Sequence, residues 1–301
     1  MLPQPRRGTV TTMMTINELV KNGSKILAKK GNKEAALEAQ VLLADELKCD
    51  RLKLIVNYDM KAEPLVIKSF NKKIKLRASG VPLSYVTGKK EFMDYEFKVS
   101  SDVLVPRPET ETLVETTLKI IKTSRLRDYN MIYILDIGSG SGNIAVSLAK
   151  LVRNAIITGI DVSNEALKIA RVNAKALHVG KKVDFRLIDL FSKKLAKLPK
   201  YDLIVTNPPY VTSGEYKKLQ KEIHHEPREA LLGGKDGLEF YDYMSKVCSN
   251  HLNKNGVIIM ETGYNQAEKV LKIFQSKGYE AAGVTKDLLG YKRVVAMKWT
   301  K

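Results

Sequence analysis

The stretch YILDIGSGSGNIAVSLAKLV (Tyr133–Val152) decides the fold. Its first five residues form an apolar run with one carboxylate, of strand length and bounded by glycine. Gly138, Gly140 and Gly142 then alternate with Ser139 and Ser141. From Asn143 onward apolar residues recur at helical spacing. Strand, tight turn and helix make the opening half of a βαβ unit.

The same alternation continues downstream. After YILDIG (133–138), AIITGID (155–161), VDFRLIDL (183–190), YDLIVTN (201–207) and GVIIMETG (256–263) read as strands, with helical patterns such as NEALKIARVNAKAL (164–177) between the first four of the five. That is the pattern of a parallel sheet. YEAAGVTKDLLGYKRVVAMKW (279–299) reads differently, as two strands joined by a loop and forming an antiparallel edge pair. Upstream, PETETLVETTLKIIK (108–122) is a helix with Pro108 at its start and Glu109 and Glu111 in its first turn. EFMDYEFKVS (91–100) suits a hairpin. From Thr15 to about Ala78 the pattern is helical throughout, with Gly31 ending the first helix and Asn32 expected to cap the second. The expected organisation is therefore a tail over 1–13, a helical domain over 14–83, a hairpin linker over 84–107 and an α/β domain over 108–301.

Composition narrows the class. Hydrophobic residues make up 44% of 301, enough for two cores, and no apolar run approaches the roughly 20 residues of a membrane helix. Two cysteines, Cys49 and Cys248, exclude a disulfide framework and suit a reducing compartment, the cytoplasm. The first 13 residues carry two arginines and no acid but lack the apolar core of a secretory signal. They read as a tail, with the natural start near Met13 or Met14, an organellar transit segment being the alternative. The net charge is +18. Residues 1–83 hold 16 basic and 8 acidic side chains, hence +8, and residues 84–301 hold 35 and 25, hence +10. This suits an acidic partner, and equally a lysine-rich chain with solvated helix faces.

The informative residues lie where the strands end, because ligands of open parallel sheets bind beyond the carboxyl ends. Glycines after the first strand let the backbone approach a ligand closely, and the following helix offers free N–H groups. The dinucleotide fingerprint G-x-G-x-x-G would place its third glycine at Asn143, so the loop departs from it. Asp161 ends the second strand, where a carboxylate accepts both hydroxyls of a ribose. Asp189, at the end of the third, is placed to accept from an adenine amino group. Glycines, a ribose acid and an adenine acid together describe a nucleoside pocket. The plainer reading of the two acids is helix capping. No lysine follows the glycine loop, which argues against a triphosphate.

The fourth strand runs into TNPPY (206–210). Proline cannot donate to a ladder, so the strand is expected to end at Asn207. The Asn207 side-chain oxygen and the Pro208 carbonyl are two acceptors, and Pro208-Pro209 fixes their direction. Tyr210 adds a flat face. Two fixed acceptors suit a planar NH₂ group, a carboxamide or an exocyclic base amine. Its lone pair is delocalised, so it needs alignment with a strong electrophile such as a methyl sulfonium. A strand-ending turn that happens to contain two prolines is the alternative.

At this point the residues resemble a family. DIGSGSG with Asp161 resembles class I S-adenosylmethionine-dependent methyltransferases, and NPPY resembles their amino-methylating branch. PLSYVTGKKEFMDYEFKVSSDVLVPRPETE (82–111), EPREAL (226–231) and GGKDGLEFY (233–241) are similar to the peptide chain release factor glutamine methyltransferases of the HemK/PrmC family. The likeness covers essentially everything after Met14. It implies an α/β, Rossmann-like methyltransferase domain with a mostly parallel seven-stranded sheet and antiparallel end strands, joined by a β-hairpin to a small helical domain that recognises the substrate. It implies S-adenosyl-L-methionine as cofactor and class I peptide chain release factors as partners, with no membrane and no required nucleic acid. Carried over by position, Gly138, Ser139, Gly140, Ser141 and Gly142 contact the methionine part and Asp161 the ribose. Asp189 and Leu190 flank the adenine. Asn207, Pro208, Pro209 and Tyr210 hold the glutamine, Asn207 also bordering the cofactor. Arg107 and Glu109 line the entrance. Some relatives carry an aromatic where Leu190 stands, so adenine stacking is reduced here unless Phe191 substitutes.

Two other readings stay open. NPPY and the positive charge also permit a nucleic-acid amine methyltransferase, which must capture a base and track phosphates. A binding protein with a decayed pocket is the other. His224 and His225 are adjacent, point differently in most backbones and lack an accompanying carboxylate pair, so they read as a loop or surface feature. Trp299 reads as packing.

Overall fold

The computed structural model describes residues 13–301. The expected tail lies, except for Met13, outside the described residues. Among them no helix is long and apolar enough to cross a membrane. The chain divides into two compact units between Thr87 and Gly88.

The first unit contains α1 (Ile16–Lys29), α2 (Ala35–Glu46), α3 (Arg51–Val56), α4 (Pro64–Ala78) and α5 (Leu83–Thr87). Helix α1 starts with a capping box. The Glu18 N–H donates to Thr15 Oγ1 at 3.2 Å and the Thr15 N–H to Glu18 Oε2 at 2.8 Å. Leu19, Leu27, Leu42, Leu43, Leu54, Phe70 and Ile74 form the core. Asn32 does not cap α2, which starts at Ala35. Instead its amide accepts from the Glu34 N–H and donates to the buried Glu38 carboxylate, closing the turn before the helix. The basic knot NKKIKLR is partly spent internally. Lys73 pairs with Asp45 and Glu46, both at 2.7 Å, and Arg77 with Glu38 at 2.6 Å.

The second unit opens with the hairpin β1 (Lys89–Phe92) and β2 (Tyr95–Lys98). Its two-residue turn, Met93-Asp94, has both residues at positive φ, matching the strand twist. Then follow α6 (Pro108–Thr123), β3 (Ile132–Ile137), α7 (Asn143–Leu151), β4 (Ala155–Asp161), α8 (Asn164–Ala176), β5 (Val183–Leu187), β6 (Tyr201–Thr206), α9 (Ser213–Tyr216), α10 (Glu239–Val247), β7 (Leu252–Glu261), α11 (Ala267–Gln275), β8 (Glu280–Lys286) and β9 (Lys292–Lys298). The span 84–107 thus holds most of α5, the hairpin and an extended loop.

The seven-stranded sheet has the order β5-β4-β3-β6-β7-β9-β8. The first five are parallel, and β9 runs antiparallel to both β7 and β8. Successive residues face opposite layers: Ile134, Leu203 and Val205 pack on one side, Leu135 and Ile204 on the other. Both faces are covered, as a parallel sheet requires. Strand β6 ends at Thr206, one residue before Asn207. The link from β5 to β6 contains only a 3₁₀ turn at Leu195–Lys197 in place of a helix.

Candidate active site

The strand order reverses between β3 and β6, the place where open α/β sheets bind ligands. Ile137 is in register with Thr206, and the Thr206 hydroxyl donates to the Ile137 carbonyl at 2.8 Å. The glycine loop after β3 and the Asn-Pro-Pro-Tyr turn after β6 therefore leave the sheet side by side. A recess is lined by both, through Gly138–Ser141, Asn143 and Asn207, and by Leu104, Pro106, Arg107 and Thr110.

Gly138, Gly140 and Gly142 all have positive φ. A side-chain carbon built on Gly138 or Gly140 would meet nothing within 4 Å, so the space over them is open. Gly142 differs: such a carbon would lie 3.0 Å from Ala170 and Phe185 side-chain atoms, so this glycine lets α7 start against the sheet. Asp161 ties the loop to β4. Its Oδ2 accepts from the Gly140 N–H at 2.8 Å and its Oδ1 from the Ser163 N–H at 2.9 Å. Burial raises its carboxyl above the ordinary range, against the pull of those amides. The cap of α8 is Ser163. Asp161→Ala would leave two backbone donors unpaired and is expected to lower stability by about 1–2 kcal/mol, read as an unfolding midpoint in urea. Ser139 and Ser141 are buried beside the loop, and the Asn173 amide from α8 holds the Ser141 carbonyl at 2.8 Å and both backbone groups of Lys98.

Asp136, on β3, is fully buried, and no hydrogen bond of good geometry reaches its carboxylate oxygens. Burial pushes it up to about 7, with Asp161 adding to the rise and Ser139 and the Ala145 amide opposing it.

Past β5, Asp189 is exposed, and its Oδ1 accepts from the Phe191 N–H at 2.9 Å. Leu190 turns inward and packs in the core with Ile160, Leu195 and Ile204. The Phe191 ring rests on Tyr243 and Phe240, at 4.5 and 5.3 Å between centroids.

The turn at 207–210 is clamped from several directions. Pro208 is buried, and Asn207, Pro209 and Tyr210 are half-buried. The Asn207 Nδ2–H donates to Thr110 Oγ1 at 3.1 Å. That hydroxyl donates to Glu261 Oε2 at 2.7 Å, and the Tyr210 hydroxyl lies 3.5 Å from Glu261 Oε1. Burial pushes Glu261 up to about 7. Glu109 adds to the rise, while Thr110, Arg293 and Tyr210 oppose it. Burial, then Glu261, raise the Tyr210 phenol far enough that it stays protonated. The Gln266 amide donates to the Tyr210 carbonyl at 3.0 Å. Gly233 passes so close that a side-chain carbon there would sit 2.6 Å from the Pro209 carbonyl and 2.7 Å from Tyr210 Cα. A second recess, lined by Tyr210, Val211, Lys218, Tyr264 and Arg293, opens beside the tyrosine.

Arg107 is held by Glu226, with Nη2 to Oε1 at 2.6 Å. Glu226 also accepts from the Val105 N–H at 3.2 Å. Glu109 is half-buried in the first turn of α6. His224 and His225 are exposed, and the His224 ring packs edge-on against Tyr216. Among the described residues no group of three or more His, Cys, Asp or Glu could hold a metal ion. Trp299 packs on Tyr279, 5.0 Å between centroids.

Sequence reasoning passed over Asp136, Thr110, Glu226 and Glu261. Two carried a signal: Glu261 breaks the buried run GVIIM with a carboxylate, and Asp136 does the same to YILDI. Glu226 and Gly233 stood in quoted motifs with no physical role attached to them.

Fold and site together define a class I methyltransferase. A family described as "PrmC N-terminal domain" matches residues 18–88, and one described as "Methyltransferase small domain" matches residues 118–238. A "Release factor glutamine methyltransferase" of Clostridium acetobutylicum is 35% identical over 269 residues, 89% of this chain and 93% of that protein. The Aquifex aeolicus protein of the same name is 35% identical over 291 residues, 96% and 100% of the two chains. The chain belongs to the release factor glutamine methyltransferase family. Among solved structures, the hMettl16 catalytic domain in complex with the MAT2A 3′UTR hairpin 6 superposes with a TM-score of 0.53 at 12% identity, covering 80% of this chain and 84% of that one. At that identity the likeness concerns the fold alone.

Proposed function

We propose that the protein methylates the side-chain amide nitrogen of the glutamine in the Gly-Gly-Gln loop of class I peptide chain release factors, using S-adenosylmethionine, in the cytoplasm. The observation that carries this is the shared recess. It brings the open glycine loop and the anchored Asn207 amide to one place, so a nucleoside donor and a planar amide would meet there. Family membership supports the same reading. S-adenosylmethionine, when bound, supplies a methyl group on a sulfonium sulfur that takes the electron pair of the breaking C–S bond. Gly138 to Gly142 would receive its methionine part, and Asp161 and Asp189 its ribose and adenine. Leu190 would lend the adenine side only its backbone, since its side chain is in the core.

The Asn207 oxygen and the Pro208 carbonyl accept the two N–H bonds of the glutamine amide. This raises electron density on nitrogen and holds it in line with the methyl carbon. Tyr210 and Pro209 wall the amide plane. The new N–C bond forms from the nitrogen lone pair, and the proton then lost from nitrogen goes to water. Arg107, fixed by Glu226, and Glu109 border the opening.

The test is label transfer. The protein is incubated with methyl-labelled S-adenosylmethionine and a cell extract, and halves are treated with protease or nuclease. Protease-sensitive label in a release-factor-sized band, absent when the Gly-Gly-Gln glutamine is replaced, is expected. Nuclease-sensitive label would move the substrate to a nucleic-acid amine.

A further inference from the structure

We infer that Thr110 and Glu261 decide which way round the Asn207 amide faces, and are therefore positioning residues for the methyl acceptor. The inference rests on the amide-methylation reading above.

The two ends of a carboxamide have nearly the same size and shape, so only hydrogen bonds tell them apart. Asn207 must present oxygen, not NH₂, to a substrate amide whose N–H bonds are to be accepted. A β6 terminus and two prolines fix the backbone of Asn207 but leave the amide free to rotate by half a turn. The discrimination comes from Thr110. A hydroxyl has one proton. When that proton goes to an ionised Glu261, 2.7 Å away, Thr110 Oγ1 can only accept from Asn207. The Asn207 NH₂ is then drawn toward Thr110 and its oxygen is turned to the recess. When Glu261 is protonated the chain can run backwards. The acid donates to Thr110, Thr110 donates to the Asn207 oxygen, and the NH₂ faces the recess. Such an Asn207 opposes a donor with a donor.

The carboxylate sits where this direction can be controlled. It is buried at the end of β7, with Thr110 and Glu109 facing it from α6, Tyr210 from the turn after β6 and Arg293 from β9. The Tyr241 hydroxyl from α10 binds its backbone carbonyl at 2.8 Å. Arg293 is itself fixed by Asp287 at 3.1 Å and by the Thr262 carbonyl at 3.1 Å. Burial against this one nearby guanidinium brings Glu261 to about 7. The direction of the chain is thus set in the neutral range.

The test uses the full-length protein, a purified release factor, three variants compared for activity and a fourth, Asn207→Ala, for assignment. Thr110→Ser keeps the hydroxyl, Thr110→Val removes it and Glu261→Gln removes the charge. Thr110→Ser is expected to keep kcat near wild type, and Thr110→Val and Glu261→Gln to lower it by roughly 10²-fold, the scale of a misplaced reacting group. Affinity for S-adenosylmethionine should be little changed in all three. Wild-type kcat is expected to rise with pH through a limb near 7 that Glu261→Gln lacks. In ¹⁵N-labelled protein, the Asn207 side-chain resonances, assigned by their loss in Asn207→Ala, should shift through the same limb in wild type and stay put in Glu261→Gln. A wild type that never transfers methyl to glutamine would sink the amide-methylation reading. A wild type that does, with Thr110→Val equally active or with the pH limb and the resonance shift intact in Glu261→Gln, would overturn the positioning role alone. Melting curves identify a variant that has not folded. Should Thr110→Val be one, the pH limb and the Asn207 resonances of Glu261→Gln decide.

Discussion

Asn207→Ala is expected to lower kcat for glutamine methylation by about 10²- to 10³-fold, the size of effect seen when one fixed polar contact to a reacting group is removed. The reasoning starts from the nucleophile. A carboxamide nitrogen gains electron density only if acceptors hold both its N–H bonds. One of the two proposed acceptors is the Asn207 oxygen, and the other side-chain amide lining the recess, Asn143, already accepts through its oxygen from the Ser141 hydroxyl at 3.1 Å. Its Nδ2 is already engaged with Thr110, so truncation removes an oriented group and leaves the Thr110 hydroxyl with its bond to Glu261. The glycine loop and Asp161 are untouched, so binding of S-adenosylmethionine should survive. Calorimetric titration with the cofactor, alongside label transfer to a purified release factor, separates the two. Transfer at the wild-type rate would remove Asn207 from the mechanism.

Gly233→Ala is the second large effect. The added methyl would sit 2.6 Å from the Pro209 carbonyl and 2.7 Å from Tyr210 Cα, and both are backbone, which cannot rotate aside. The Gly233 N–H also donates to the Val211 carbonyl at 3.0 Å, so this segment cannot easily retreat. Relief must come from a shift of the turn proposed to hold the methyl acceptor. A displacement on the order of 1 Å in such a group costs about 10² in rate. The expected outcome is a kcat reduced on that scale, with the melting temperature lowered by only a few degrees. A full loss of folding at room temperature, or a fully active variant, would each contradict this account.

The fold was legible from short apolar runs alternating with helical patterns, since a parallel sheet buried on both faces leaves its central strands as mostly hydrophobic segments. The antiparallel end pair was legible as well, but its order was not. The last strand, β9, slides between β7 and β8, and nothing in RVVAM distinguishes an inner from an outer position. Boundaries shifted where side chains outweighed local preference. Asn32 looks like a cap, yet its amide is drawn to Glu38, and the helix begins three residues later. The absent helix between β5 and β6 was masked by the lysine-rich stretch 193–200, whose composition suits a helix as well as a loop.

In the candidate site, the glycines, Asp161 and Asn207 stand out because each has a conformational or chemical oddity at a strand end. Thr110 and Glu226 do not. A threonine in the first turn of a helix and a glutamate before a proline are ordinary locally. Their meaning comes from Glu261, Arg107 and the Val105 amide, which lie far off along the chain.

That distance has a kinetic consequence. Asn207 and Thr110 are 97 residues apart, Val105 and Glu226 121, and Thr110 and Glu261 151. Each closure costs chain entropy that only completed packing repays, so contacts of this span form late. Helices and the β1–β2 hairpin can appear while the proposed acceptor clamp is still scattered. During refolding, recovery of transferase activity would trail recovery of helical signal, and a chain caught part-way would be inert toward its substrate rather than weakly active.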